Sequence, residues 1–83
     1  MIDEYTLNLI KIGEEVEVTE LTARGELRRR FLDLGIIKGT IIKALYKSVL
    51  GDPTAYSIRG TVIAIREEEA SFIKVKSLNE EGN

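Results

Sequence analysis

The sequence predicts a small, mainly β fold, a barrel of about five strands with one short helix packed over an end. Three observations lead there. Five short runs of β-forming residues follow one another, separated by turn residues. One stretch, residues 26–34, has the helical spacing of apolar side chains. The chain of 83 residues suffices for one domain and is too short to stack two large sheets.

Residues 5–12 carry Leu7, Leu9, Ile10 and Ile12 ahead of Gly13, and read as an extended lead-in closed by a turn. Residues 15–21 alternate, with Val16 and Val18 facing one way, as in a half-buried strand. In residues 26–34, Leu27, Phe31 and Leu34 fall on one stripe at about 100° per residue. Gly25 is placed as the N-cap, Glu26 suits the positive end of the helix dipole, and Gly35 suits a left-handed cap at the far end.

Beyond the Lys38-Gly39 turn, residues 40–47 are rich in β-formers and read as a strand. Residues 48–53 form a loop punctuated by Gly51-Asp52-Pro53, and residues 54–59 a short strand. Gly60 permits a tight reversal into a strand over 61–66, with Ile63 and Ile65 on one face and Val62 and Ala64 on the other. Residues 67–70 fit a single helical turn, and residues 72–77 a last strand with Ile73 and Val75 inward. Exposed sheet edges invite aggregation, and a small closed barrel covers them; the order of elements therefore points to an SH3-like barrel. A single domain over residues 1–83 is expected, with its core at about 5–78 and a frayed tail at 79–83.

Composition narrows the function. The 12 basic and 14 acidic residues sum to −2, so neither a general polyanion binder nor an acidic tail is indicated. There is no Cys and no His, which excludes disulfides, zinc ribbons, iron–sulfur ligation, thiol catalysis and any His-based triad. No apolar run approaches the roughly 20 residues that span a bilayer, and no signal peptide is visible, so a soluble cytoplasmic domain is expected. A binding or regulatory module, not an enzyme, is the expected class.

The candidate residues fall in two places. Arg28-Arg29-Arg30 fans over about 200° of helix and cannot form one patch. Glu26 with Arg30 and Arg29 with Asp33 are candidate i,i+4 pairs, and a solvated helix face accounts for the run. Leu32 lies outside the apolar stripe, between Arg28 and Arg29 on the wheel, which is either an isolated exposed leucine or an apolar anchor rimmed by arginines. The Leu50-Gly51-Asp52-Pro53 loop has ordinary turn chemistry, and a rigid loop at a barrel rim can also present a binding surface. Glu67-Glu68-Glu69 reads as solvated acids at a helix start, since adjacent carboxylates there diverge.

The run from Leu27 to Gly39 resembles the helix-and-turn segment of FeoA proteins, whose pattern is roughly Arg-x-Leu-x-x-Leu-Gly-Leu/Ile-x-x-Gly, with Phe31 in place of the first leucine. Leu50-Gly51-Asp52-Pro53 is similar to the family's Gly-Asp-Pro loop. Arg59-Gly60, Ile65-Arg66 and Glu69-Ala70 ahead of Ile73-Lys74-Val75 are similar to its C-terminal half, and Leu7-x-Leu9-x-x-Ile12-Gly13-Glu14 fits its opening. The resemblance implies an SH3-like barrel and a small cytosolic accessory of bacterial ferrous iron uptake. It implies as partner FeoB, a membrane permease with a cytosolic GTP-binding domain. Partner contacts are expected at Arg28, Phe31, Leu32, Gly35, Ile36, Gly51, Asp52 and Pro53. No cofactor, nucleic acid or membrane insertion is expected. A small barrel with an exposed edge can also self-associate weakly. Two other functions compete: a weak transition-metal sensor or carrier using carboxylates alone, and an SH3-like nucleic-acid binder.

Overall fold

The computed structural model describes residues 4–78; the expected frayed tail lies outside them. Six strands form one antiparallel sheet: β1 (Glu4–Thr6), β2 (Glu15–Leu21), β3 (Ile41–Lys47), β4 (Thr54–Ile58), β5 (Thr61–Ile65) and β6 (Ile73–Ser77). Their order across the sheet is β1-β6-β2-β3-β4-β5. Helix α1 (Gly25–Asp33) joins β2 to β3, and one helical turn, α2 (Glu67–Ala70), joins β5 to β6.

The β-patterned runs of the sequence form strands within a residue or so of their expected limits. The lead-in differs. Its first residues form β1, which pairs with β6, and Leu7–Leu9 then coil into a 3-10 turn. The barrel wall is also open. β1 and β5 stand at opposite edges of the sheet, and no pairing joins them among the described residues. β1 is too short to reach across, and both edge strands run directly into helical turns. Those turns pack against each other.

Alternation determines which side chains go inward. Val16 and Val18, Ile42 and Ala44, Tyr56 and Ile58, Ile65, and Ile73 with Val75 supply the sheet side of the core. Leu7, Phe31, Ile36 and Ala70, all fully buried, close it from the helical side. Deleting a buried aromatic side chain costs about 3–5 kcal/mol, so Phe31 is the main apolar anchor of α1, with Leu27 and Leu34 packed beside it.

α1 begins at Gly25, one residue earlier than the sequence suggests, and its N-cap is Arg24. Its other end is a Schellman motif. The Ile36 N–H donates to Phe31 O at 2.9 Å and the Gly35 N–H to Leu32 O at 3.0 Å. Gly35 has φ +86°. A Cβ there would overlap Arg59 Cδ, because the Arg59 side chain lies across this glycine. The helix thus runs from the end of β2 past α2 to the β4–β5 turn.

Tyr5 ties β1 to the start of β2: its hydroxyl donates to Glu14 Oε2 at 2.6 Å. Burial first, and then the Glu14 carboxylate, push the Tyr5 hydroxyl up to about 12. A raised value means that the protonated form is favoured by folding. Its contribution is whole below pH 10 and is lost as pH rises through about 12. Denaturant titrations should show wild type losing more stability over that window than Tyr5→Phe; equal losses would show that this contact is inert.

Gly35→Ala should lower stability by about 1–3 kcal/mol, since it combines a left-handed residue with an overlap. In an Arg59→Ala background the penalty should shrink. Equal penalties in both backgrounds would remove the overlap from the explanation.

Candidate docking surface

The expected contact residues separate into two groups and two roles. Phe31 and Ile36 have no exposed surface. They are the two positions that the Schellman motif brings together, and burying both closes the core. Neither can touch a partner in this fold, which corrects that expectation. Gly35 is half-buried under Arg59 and serves the same turn. Thr40 secures it further: its hydroxyl donates to Gly35 O at 2.8 Å and accepts the Ile37 N–H at 3.1 Å.

Exposed around this turn are Leu32 at 42% and Ile37 at 48%, together with the charged Asp33, Lys38 and Arg59. Leu32 therefore keeps its place as an exposed apolar residue. Ile37 and Arg59 were not singled out from sequence. The signal for Ile37 was the Ile36-Ile37 pair: the cap buries the first, so the second must face water. Arg59 enters the sequence reading only within the Arg59-Gly60 motif, which does not reveal its long-range contact with Gly35.

Arg28 is exposed but engaged. Its Nη1 donates to Leu21 O at 2.9 Å and to Ala23 O at 3.5 Å, pinning the end of β2 to α1. The i,i+4 pairs expected along α1 do not form among the described residues. Instead Arg30 pairs with Glu69 Oε1 at 2.9 Å and lies over the Phe31 ring, 5.6 Å from its centre. Glu69 Oε1 also accepts the Arg66 N–H at 3.2 Å. So Glu69 is not merely a solvated acid; it joins α2 to α1. A shallow groove of about 500 Å³ lies between the two, lined by Leu27, Arg30, Glu69 and Phe72 among others.

The 48–53 loop is held from within. Ser48 Oγ donates to Asp52 O at 2.7 Å, its N–H donates to Pro53 O at 3.0 Å, and the Gly51 N–H donates to Ser48 O at 2.9 Å. The Asp52 carboxylate accepts the Glu67 N–H at 2.9 Å, satisfying a first-turn amide of α2 from a different segment. Asp52 is thus a positioning residue for loop and helix, beyond the local turn chemistry that the sequence suggests. Gly51 is exposed and Pro53 half-buried. At the tip Val49 and Leu50 are almost wholly exposed.

The two groups do not form one patch. The loop precedes β4 and the Arg59 turn follows it, so the two ends stand roughly 20 Å apart at the rise of an extended strand. Among the described residues no group of three or more His, Cys, Asp or Glu side chains is placed to hold a metal. No helix among them is long and apolar enough to cross a membrane.

These features define an SH3-like module that presents exposed apolar side chains on tightly fixed turns. The chain belongs to the FeoA family: the family's FeoA domain matches residues 5–77. That family is associated with Fe(2+) transport. An Fe(2+) transport protein A of Campylobacter jejuni is 30% identical over 70 residues, covering 84% of this chain and 95% of its own length. A fusion of Fe(2+) transport protein A with the Fe(2+) transporter FeoB, from Porphyromonas gingivalis, is 27% identical over 88% of this chain; the match spans 9% of the fusion. The solution structure of an FeoA-like protein from Clostridium acetobutylicum superposes with a TM-score of 0.87 at 34% identity, covering 100% of this chain and 96% of that one. FeoA of Stenotrophomonas maltophilia, described as a prokaryotic SH3 domain protein and solved with zinc, gives 0.76 at 27% identity over 84% of this chain and 87% of its own.

Asp52→Ala should cost about 1 kcal/mol of stability through the lost cap. It should also speed amide exchange at Glu67 while leaving α1 amides unchanged. Unchanged exchange at Glu67 would show that the cap contributes nothing.

Proposed function

We propose that this chain is an accessory regulator of bacterial ferrous iron uptake that docks on the cytosolic GTP-binding part of a FeoB-type permease. The observation that carries this reading is the fusion relative, in which the same domain is covalently joined to the transporter. Fusion makes an encounter intramolecular, and natural selection of such a link favours domains that already work together. The chain's surface supports a protein contact. Leu32 and Ile37, on the two sides of the Gly35 turn that Arg59 covers, supply exposed apolar area among charged side chains, the usual build of a docking centre. The 48–53 loop offers a second contact at the far end of β4.

Regulation in this reading comes through docking and not through a supplied catalytic arginine. Arg28 is committed to backbone carbonyls of its own chain. Two observations weigh against a resident metal: Asp52 is spent on Glu67 N–H, and Glu69 on Arg30.

Titrating isotope-labelled protein with the GTP-binding domain of the cognate permease tests this. Amide shifts are expected around residues 28–37 and 59, or around 48–53 where the loop is the contact. Leu32→Asp should weaken binding by about tenfold or more if α1 is the docking face. No shifts, together with no retention on the full-length permease, would overturn the reading.

A further inference from the structure

The two halves of the sheet differ on their outer face. On β1, β6 and β2 that face is charged and internally paired: Lys74 meets Glu20 at 3.7 Å and Lys76 meets Glu17 at 3.9 Å. On β3, β4 and β5 it carries Ile41, Lys43, Ser57, Val62 and Ala64, with one charge among them.

The two edge strands differ in the same sense. β1 is three residues long and carries Glu4. β5 is Thr61-Val62-Ile63-Ala64-Ile65, with no charge and no proline, and its ladder with β4 has no bulge. Protected edges are short, charged, bulged or covered. β5 has none of the first three protections, and Val62 is 57% exposed.

The direction of its backbone groups follows from the turn. Arg59 and Gly60 both have positive φ, +52° and +83°, as a two-residue type I′ hairpin requires. Such a loop closes on a hydrogen-bonded pair, here Ile58 and Thr61. Alternation then turns the peptide groups of Thr61, Ile63 and Ile65 toward β4 and those of Val62 and Ala64 toward the free edge.

We propose that β5 pairs antiparallel with β5 of a second copy, on a two-fold axis through Ile63. In that register Val62 and Ala64 of one copy exchange N–H···O bonds with Ala64 and Val62 of the other. Every outward group of the two strands is then satisfied. Strand length selects this register over its neighbours. Only an axis through Ile63 pairs both outward residues within β5: an axis at Val62 would set Ala64 against Gly60 of the turn, and one at Ala64 would set Val62 against Arg66, beyond the strand. The contact is isologous and closes at two copies. Ile63, half-buried in one chain, meets its symmetry mate at a non-hydrogen-bonded position, where Cα atoms stand about 4.5 Å apart.

That separation lies within disulfide range, and the natural chain has no cysteine. Under mild oxidation Ile63→Cys should form a linked dimer about tenfold faster than Leu50→Cys, whose thiol is more exposed but remote from the axis. Equal rates would overturn the pairing. Sedimentation should show a dimer of the natural chain. Ala64→Pro, which removes one outward N–H and leaves the bonds to β4, should be monomeric with an unchanged circular dichroism spectrum. A natural chain that stays monomeric at high micromolar concentration would overturn the proposal, as would amide protection at Val62 and Ala64 that appears only when a different protein is added. Should Ala64→Pro unfold, Val62→Pro, which removes the other outward N–H, provides the second variant. It should weaken the dimer about tenfold; an unchanged dimer overturns the pairing.

Discussion

Much of the core of this chain is closed by residues that belong to no strand. β1 and β5 do not meet, and Leu7, Phe31 and Ala70 pack into the core from the helical side. Each sits on a helical piece, and each is fully buried. A strand brings its hydrogen bonds with it, whereas a helical plug must be fastened separately. The polar contacts around the opening do that fastening. Arg30 with Glu69 holds α1 to α2, Asp52 holds α2 to the 48–53 loop, and Arg28 holds α1 to the end of β2. Exposed polar contacts of this kind, one ion pair and two hydrogen bonds to backbone, contribute little each. Their effect is to fix the orientation of elements whose stability comes from the apolar plug.

This division explains what could be read from the residues alone. Period-two runs gave β2, β5 and β6, where most successive residues differ in exposure, richness in β-formers gave β3, and the turn residues on either side bounded β4. The stripe Leu27-Phe31-Leu34 gave α1 for the corresponding reason. β1 was hidden: its three residues carry too few alternations, and only pairing with β6 makes them a strand. The open seam was hidden too, since closure depends on strand lengths and not on pattern. Among candidate site residues, Leu32 was legible because it breaks the stripe. Phe31 and Ile36 were misplaced because a resemblance marks positions without saying whether they serve contact or cap. The Schellman hydrogen bonds, which involve backbone alone, assign them to the cap.

The same economy appears on the surface. Residues that look functional by charge, such as Arg28, Glu69 and Asp52, are consumed in fastening helical pieces to the sheet. Exposed apolar side chains stand at both ends of the molecule: Leu32 and Ile37 at one, Val49 and Leu50 at the other. Such a surface offers shape and apolar area among charged side chains, which supports the docking proposed above. That suits an accessory of a larger machine better than a carrier of ions, which must offer oxygen, nitrogen or sulfur donors in a converging set.

The β4–β5 turn bears on how such a domain can change over generations. A type I′ turn favours Asn or Asp at its first position, yet Arg59 occupies it with φ +52°. Backbone preference alone would select otherwise. The long Arg59 side chain lies across Gly35, where a Cβ would overlap it unless the arginine moved aside. Each position thereby limits what the other can accept. Drift at one is permitted only in step with the other, so the two should vary as a linked pair across a lineage even though they stand 24 residues apart in the chain.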